Sequence, residues 1–132
     1  MHMDWSSQVV LVTGGTGSFG RKFIHHLLRH CPPRKLIILS RDELKQHEMR
    51  QLYPDIGDSP ISYFIGDVRD AIRVRLAMQD VDYVVHAAAM KRIDSCEDDP
   101  WEACQTNIGG THNVAMASIE AGVQKAVFLS TD

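Results

Sequence analysis

The sequence has few of the features that mark membrane, secreted or nucleic-acid-binding proteins. No apolar run approaches the roughly 20 residues that a membrane-spanning helix requires, and the first residues lack the basic flank and apolar core of a signal peptide. The formal net charge of -3 gives no reason to expect nucleic acid or an anionic membrane as a partner. The three cysteines are odd in number and show no C-x-x-C spacing, so we expect reduced thiols in a cytoplasmic protein.

Patterns for metal binding are also sparse, although the sequence contains seven histidines. His26 and His30 are four residues apart on a predicted helix with Cys31 adjacent, a spacing that can bind zinc. No carboxylate or thiolate at a matching spacing completes the set, and His47-Glu48 is not part of an HExxH motif. We therefore expect no metal ion.

Short β-branched runs alternate with helical patterns along the chain. The predicted strands are Val9–Thr13, Lys35–Ser40, Ile61–Ile65, Tyr83–His86 and 125–130, and the predicted helices are Ser18–His30, 42–53, 70–78 and 100–121. The strands are almost continuously apolar, as is typical of parallel strands buried on both faces. The alternation predicts an α/β fold, a Rossmann-type doubly wound parallel sheet with strand order 3-2-1-4-5.

A glycine-rich segment, TGGTGSFG at residues 13–20, joins the first predicted strand to the first helix. Gly14 allows a tight turn off the strand, Gly17 lacks the Cβ that would keep the backbone from a pyrophosphate, and Gly20 lets the helix pack close to the sheet. The helix that begins near Ser18 points its unpaired N–H groups and positive dipole end at the same place. This strand–loop–helix context predicts a dinucleotide phosphate site.

The segment SRDE at residues 40–43 follows the second strand, where this fold meets the adenosine ribose. An acidic residue there would favour NAD, whereas Ser40 and Arg41 offer a hydroxyl and a cation to the 2′-phosphate of NADP. We expect NADP rather than NAD, with Lys45 as an additional cation. Alternatively, Ser40 and Glu43 form a capping box for the next helix, which is compatible with phosphate binding.

The segment GDVRD at residues 66–70 follows the third strand, beside the expected adenine pocket. Asp67 is placed to accept from the adenine amino group while Val68 packs on the ring. Alternatively, Asp67 or Asp70 caps the next helix. We expect Asp70 to be the cap and Asp67 to contact adenine.

The fourth strand ends in HAAA at residues 86–89. Small side chains there let the backbone pass close to a cofactor, although tight internal packing explains them equally well. Lys91 follows directly, and we expect it to contact ribose, phosphate or substrate, with Arg92 in solvent. Asn107 lies inside the fourth predicted helix, where asparagine has poor propensity. It is either solvated or buried near the active site.

The motifs TGGTGSFG, SRDELKQ, IGDVRD, HAAAMK, TNIGGTHNV and LSTD occur in this order. Together they resemble the extended short-chain dehydrogenase/reductases. More narrowly, they resemble the inverting UDP-N-acetylglucosamine 4,6-dehydratases of bacterial surface-sugar biosynthesis. The resemblance covers residues 9–132 and implies NADP as cofactor and a UDP-sugar as substrate.

By position, the resemblance implies that residues 16–19 hold the pyrophosphate of NADP, that residues 40–45 hold its 2′-phosphate end, and that Asp67 and Val68 flank adenine. The residues near the nicotinamide and the sugar would be Ala87, Lys91, Asn107 and Ser130. The complete set expected to bind cofactor is Gly14, Thr16, Gly17, Ser18, Phe19, Gly20, Ser40, Arg41, Asp42, Glu43, Leu44, Lys45, Asp67, Val68, Ala87, Ala88, Lys91, Asn107 and Ser130.

The resemblance also implies catalytic roles for Thr131 and Asp132. In the family reaction the sugar is oxidised at C4, loses its C5 proton and C6 hydroxyl, and is reduced at C6, with Asp132 protonating the departing hydroxyl. The family's basic lysine and its Tyr-x-x-x-Lys pair are absent from these residues. We therefore expect residues 1–132 to bind cofactor at best, and not to turn over. The alternatives are a UDP-sugar 4-epimerase or reductase, and a dinucleotide-binding module without catalysis. The Thr-Asp pair argues against an epimerase.

The organisation predicted from the sequence is one domain, residues 1–132. It would be the N-terminal part of an NAD(P)-binding Rossmann domain truncated after its fifth strand, without the remaining strands and the substrate-binding region. The fifth strand would then be a sheet edge beside exposed apolar surface, and such edges favour association. We expect a homo-oligomer that binds a UDP-sugar, with neither nucleic acid nor membrane as a partner.

Overall fold

The computed structural model describes residues 4–87, 101 and 105–129. A short 3-10 turn, Trp5–Ser7, comes before the first strand. The strands are β1 (Val9–Thr13), β2 (Lys35–Ser40), β3 (Ile61–Ile65), β4 (Tyr83–His86) and β5 (Lys125–Phe128). The described helices are α1 (Ser18–His30), α2 (Glu43–Leu52), α3 (Ala71–Ala77) and α4 (Gly110–Ala121), with a π-helical turn, Gln105–Gly109, leading into α4.

The strands form one five-stranded sheet in the order β3-β2-β1-β4-β5. Every neighbouring pair is parallel. The predicted α/β class, strand order and first four strands are therefore confirmed. The fifth strand ends at Phe128, two residues earlier than predicted.

The two faces of the sheet bury separate apolar clusters. Val9 and Leu11 of β1 face a cluster that includes Val74 of α3 and Val114 of α4. Their neighbours along β1 face the opposite cluster, which includes Ile24 of α1 and Met49 of α2. This alternation follows from the two-residue period of a strand, and it places the fully buried β1 at the centre of the fold.

Burial on both faces holds for β1 and for β2 after its first residue, but β4 is fully buried on one face only, and the prediction is wrong for the two edge strands. Four of the five residues of β3 are only half-buried, and β5 is mostly exposed in the described structure, with Val127 43% exposed. An edge strand has a neighbour on one side only, and less of each face is covered. Apolar composition alone did not distinguish edge strands from central ones.

Local polar groups and glycines set the helix ends. Asp70 caps α3 by accepting from the backbone N–H of Arg73 at 3.1 Å, as predicted. Gly122 ends α4 in the left-handed conformation at φ +70°, which is also as predicted. The proposed capping box is wrong, because α2 begins at Glu43 and its cap is Asp42.

The predicted helix 100–121 is not uniform in its described part. The π-helical turn comes before the α-helix, which begins at Gly110. Gly110 packs so closely on the loop after β3 that a Cβ there would lie 2.5 Å from Val68 Cγ2. The start of α4 is therefore fixed by a contact that only glycine permits.

We predict that Gly110→Ala destabilises the protein by about 1–3 kcal/mol, because the new methyl group would overlap the buried Val68 side chain. Gly109→Ala is the matched control. Gly109 already has helical dihedral angles, and a Cβ there would meet nothing within 4 Å. Urea unfolding of both variants measures the effect, and equal stabilities would contradict the close contact.

Candidate functional site

The candidate site lies at the carboxyl ends of β1, β2, β3 and β4. Because the strands are parallel, these four ends lie together at the carboxyl-terminal end of the sheet. β1 lies between β2 and β4, and the strand order reverses there. In open α/β sheets, ligands bind in the crevice outside such a reversal point.

The loop after β1 leaves the strand as a tight turn. Gly14 has φ +68°, a left-handed conformation that favours glycine. Its N–H donates to the carbonyl of Leu39 on β2 at 3.1 Å, and its own carbonyl accepts from the N–H of Gly17 at 3.1 Å. The predicted turn at Gly14 is confirmed, and the loop is attached to the end of β2.

Two further glycines pack this loop against its surroundings. A Cβ at Gly20 would lie 2.5 Å from Gly15 Cα, so Gly20 packs on the loop and not on the sheet, which corrects the prediction. Gly15 makes the contact with the sheet, because a Cβ there would lie 2.8 Å from Ile38 Cγ2. No role of Gly15 was predicted from the sequence, although its place inside the glycine pattern is a usable signal.

The start of α1 is open toward the crevice. Gly17 is its N-cap, and α1 has neither a side-chain cap nor an acidic residue in its first turn. A Cβ at Gly17 would contact nothing closer than Gly14 O, at 3.4 Å. The missing side chain at Gly17 is therefore not a requirement of internal packing. A helix start of this kind favours an anion.

Thr16, Ser18 and Phe19 surround this helix start. Thr16 is buried, and its carbonyl accepts from Arg21 Nε at 3.0 Å. Ser18 is exposed on the first turn of α1. Phe19 is 38% exposed and stacks on Phe23, with their ring centroids 6.1 Å apart. Two packed glycines and a helix start without a side-chain cap are features that fit a dinucleotide phosphate.

The end of β2 places Ser40 and Arg41 side by side. Ser40 is 9% exposed, and its Oγ lies 2.8 Å from Gln46 Nε2. Its carbonyl accepts from the N–H of Gly66 at 3.0 Å, which joins the loop after β3 to β2. Arg41 is exposed, and its Nη1 lies 3.8 Å from Asp67 Oδ2.

The first turn of α2 contains the remaining residues predicted for the 2′-phosphate end. The Asp42 carboxylate is occupied as the helix cap, accepting from the N–H of Lys45 at 3.0 Å. Glu43, Leu44 and Lys45 have exposed side chains. Lys45 is therefore accessible to an anion near the end of β2, whereas Asp42 has a structural task.

Asp67 lies between two guanidinium groups in the loop after β3. Its carboxylate accepts from Arg69 Nη2 at 2.6 Å and from the Arg69 backbone N–H at 2.9 Å. The hydrogen bonds from the Arg69 side chain lower the pKa of Asp67, against a smaller effect of burial, and the positive charge of Arg41 lowers it further. Asp67 is therefore an ionised acceptor at neutral pH.

Val68 has a structural role that the sequence did not predict. Its side chain is 6% exposed and packs in the core beneath Gly110. Its carbonyl accepts from Asn113 Nδ2 on α4 at 2.9 Å. Little of the side chain is left to cover an adenine ring, and the adenine contact of Val68 stays a prediction.

A buried polar network holds the end of β4 against β1. His86 Nδ1 lies 2.7 Å from Thr13 Oγ1, and His86 Nε2 lies 3.3 Å from Thr111 Oγ1 on α4. Thr13 Oγ1 also accepts from the N–H of Ala87 at 3.0 Å. A neutral imidazole has one N–H donor and one acceptor nitrogen, and each His86 nitrogen has a threonine hydroxyl as its partner.

This network places Ala87 beside the start of the glycine loop. Burial lowers the pKa of His86 to about 4, so the ring is neutral at physiological pH. The sequence analysis missed both His86 and Thr13. Their signal was a polar residue at the end of each of two neighbouring apolar strands.

Several predicted residues lie outside the described part of the chain: Ala88, Lys91, Ser130, Thr131 and Asp132. Asn107 is half-buried on the π-helical turn, one turn before Thr111. Such turns occur frequently at functional sites.

The part of the chain that the structure describes contains neither a cluster of metal ligands nor a membrane-spanning helix. Within residues 4–87, 101 and 105–129, no three His, Cys, Asp or Glu side chains cluster as metal ligands would. The rings of His26 and His30 pack on each other at 4.6 Å between centroids. Every helix in these ranges is too short or too polar to cross a bilayer.

Comparisons with known proteins agree with this geometry. The model of a family described as polysaccharide biosynthesis protein matches residues 10–132. The chain is 51% identical over 123 residues to an inverting UDP-N-acetylglucosamine 4,6-dehydratase of Campylobacter jejuni, covering 93% of this chain and 36% of that protein. It is 43% identical over 128 residues to a UDP-glucose 4-epimerase of Rickettsia bellii, covering 95% of this chain and 37% of that protein.

A solved structure supports the same fold. The dTDP-glucose 4,6-dehydratase DesIV of Streptomyces venezuelae, solved with NAD bound, matches with a TM-score of 0.77 and 26% identity. The match covers 90% of this chain and 38% of that one. The chain spans about a third of the length of the curated relatives it matches.

The neutral His86 predicts a specific pH dependence of stability. The folded pKa of about 4 lies below the ordinary 6.5, so protonation favours the unfolded state. Stability contributed by the neutral ring is complete above pH 6.5 and is lost as the pH falls toward 4. We expect His86→Gln to cost about 1–3 kcal/mol at pH 7 through lost hydrogen bonds.

The measurement is the free energy of unfolding of both proteins from pH 7.5 to 4. The difference between them should shrink as the pH falls through this window, because only the native protein titrates at position 86. All other histidines are shared and cancel. Parallel stability curves would contradict a neutral, buried His86.

Proposed function

The chain belongs to the polysaccharide biosynthesis protein family, and from this membership we propose that it forms the NADP-binding portion of a UDP-N-acetylglucosamine 4,6-dehydratase. The observation that carries the proposal is the 51% identity to the Campylobacter jejuni dehydratase across 93% of the chain. It is supported by the glycine loop after β1, which leads into a helix start without a side-chain cap or an acidic residue in its first turn. The enzyme would serve bacterial surface-glycan synthesis.

We assign the pyrophosphate to the loop between Gly14 and Gly20. The N–H groups of Ser18 and Phe19 belong to the first turn of α1, which in the described structure has no acidic residue to compete for them. Gly17 keeps the approach open because no side chain occupies that position. When bound, the dinucleotide supplies oxidation of the sugar at C4 and reduction at C6.

We assign the 2′-phosphate of NADP to Ser40 and Arg41, with Lys45 nearby. Two observations support NADP over NAD. The last residue of β2 is a serine, where NAD-binding proteins place an acidic residue for the ribose 2′-hydroxyl. The nearest carboxylate in sequence, that of Asp42, is occupied as the helix cap.

The remaining assignments concern adenine, nicotinamide and sugar. Asp67 is proposed to accept from the adenine amino group, since it is ionised and its side chain is 28% exposed. Ala87, Ala88, Lys91, Asn107 and Ser130 are proposed for the nicotinamide and substrate side. Thr131 and Asp132 are proposed as catalytic, with Asp132 protonating the departing C6 hydroxyl. Three further statements stay predictions: that residues 1–132 belong to one domain, that the protein forms a homo-oligomer, and that it is cytoplasmic.

A UDP-sugar 4-epimerase is the second candidate. The 43% identity to the Rickettsia bellii epimerase over 95% of the chain favours it. The dehydratase is preferred because its relative is more similar over a nearly equal share of the chain. The Thr131-Asp132 pair supports the same choice.

We predict that the protein binds NADP more tightly than NAD, and that Arg41→Ala weakens NADP binding about tenfold or more because a charge-assisted contact is lost. NAD binding should change by less than about twofold. Isothermal titration calorimetry with both cofactors measures this. Arg34→Ala is the matched control, because Arg34 comes just before β2, at the opposite end from Arg41.

Equal affinity for NADP and NAD would overturn the assignment of NADP. A loss of NADP affinity in Arg34→Ala as large as in Arg41→Ala would place the phosphate elsewhere.

We also predict that residues 1–132 alone give no product from UDP-N-acetylglucosamine and NADP. Tyr53, Tyr63 and Tyr83 are each followed four residues later by a residue other than lysine. Mass spectrometry of the nucleotide sugar checks this. Any product from residues 1–132 would contradict the prediction. In a longer natural form, loss of water from the sugar would identify a dehydratase, and a product of unchanged mass an epimerase.

A further inference from the structure

Gln46 on α2 is a fully buried polar residue to which the proposed binding site gives no role. It is 0% exposed. Its Nε2 lies 2.8 Å from Ser40 Oγ, 3.2 Å from Ser40 O and 3.1 Å from Phe64 O. Its Oε1 is buried and has no hydrogen-bond partner in the described structure.

The surroundings determine which way the Gln46 amide points. Two of its three neighbours are backbone carbonyl oxygens, which can only accept hydrogen bonds. The reversed amide would place Oε1 against both carbonyls. The NH₂ group must therefore face them, and it also faces the hydroxyl of Ser40.

In this orientation the Ser40 hydroxyl oxygen accepts a hydrogen bond from Gln46 Nε2. A hydroxyl has one proton, and a proton directed at an N–H donor would be repelled. The Ser40 proton is therefore directed away from Gln46. Ser40 thus offers a donor to a further acceptor at the end of β2.

Gln46 also carries an unpaired acceptor. A buried oxygen without a partner reduces the stability of the fold. Local choices that reduce stability are expected at functional sites. The same side chain joins the carboxyl ends of β2 and β3 through Ser40 and Phe64, which are the strand ends assigned to the ribose phosphate and to adenine.

We propose that Gln46 is a positioning residue for NADP, holding the Ser40 hydroxyl so that its proton is directed at the 2′-phosphate. The inference rests on the proposed NADP site. A phosphate offers several acceptor oxygens and negative charge, so a donor already directed at it makes a charge-assisted bond. The neutral 2′-hydroxyl of NAD gains less. Gln46 therefore contributes to the choice of NADP over NAD without touching either.

The test is Gln46→Met, titrated with NADP and with NAD by calorimetry. The affinity for NADP should fall about fivefold or more, and that for NAD less than about twofold, because only NADP presents a charged acceptor to Ser40. Gln51→Met is the matched control. Gln51 is exposed on the same helix, and its variant should leave the ratio of the two affinities unchanged.

A double-mutant cycle separates positioning from a purely structural role. Ser40→Ala should lower the NADP-to-NAD affinity ratio, and Gln46→Met should have little further effect in that background. An equal effect of Gln46→Met with and without Ser40 would overturn the inference, as would a lower melting temperature with an unchanged ratio. Ser40→Ala is informative even if Gln46→Met does not fold, because an unchanged ratio in Ser40→Ala would also overturn it.

Titration of the native protein with both cofactors separates two outcomes: an error in the role of Gln46, and an error in the proposed cofactor. If the native protein does not prefer NADP, the proposed cofactor is wrong and the role of Gln46 falls with it. If the native protein prefers NADP and Gln46→Met keeps the full preference, the role of Gln46 alone is refuted.

Discussion

The rest of the site depends on the close packing of the glycine loop after β1. The chain leaves a completely buried strand through a left-handed Gly14, whose N–H is bound to β2. It then passes so close to Ile38 and to Gly20 that no side chain fits at Gly15 or Gly20. These contacts fix the start of α1 relative to the sheet. An open helix start held at the point where the strand order reverses is what a pyrophosphate requires.

Polar contacts between neighbouring strands fix the other strand ends at the carboxyl-terminal end of the sheet. Gln46 joins the ends of β2 and β3, and the Thr13–His86 pair joins the ends of β1 and β4. Ser40 and Ala87, which are proposed to lie at the ribose phosphate and at the nicotinamide, are therefore held in place by contacts within the fold. Such preorganisation lowers the entropic cost of binding.

The sequence predicted the features that depend on local pattern, and missed those that depend on contacts between distant residues. Strand positions, the strand order, the turn at Gly14 and the cap at Asp70 follow from alternation, glycine and capping chemistry. The Thr13–His86 contact joins residues 73 positions apart, and no local pattern encodes it. The sequence of α2 is rich in polar residues, and only the fold shows that Gln46 is buried. The exposure of β3 and β5 likewise follows from the strand order, because each of them has a neighbouring strand on one side only.

We propose that the carboxyl-terminal end of the sheet binds NADP, with the 2′-phosphate of the cofactor at the end of β2. An NMR titration of the ¹⁵N-labelled protein with NADP tests it most directly. The account predicts shifts of the backbone amides of Gly17, Ser18 and Arg41 and of the Gln46 side-chain amide, with smaller shifts of the last two for NAD. Shifts confined to the amino-terminal end of the sheet, or identical shifts for NADP and NAD at Arg41 and Gln46, would contradict it.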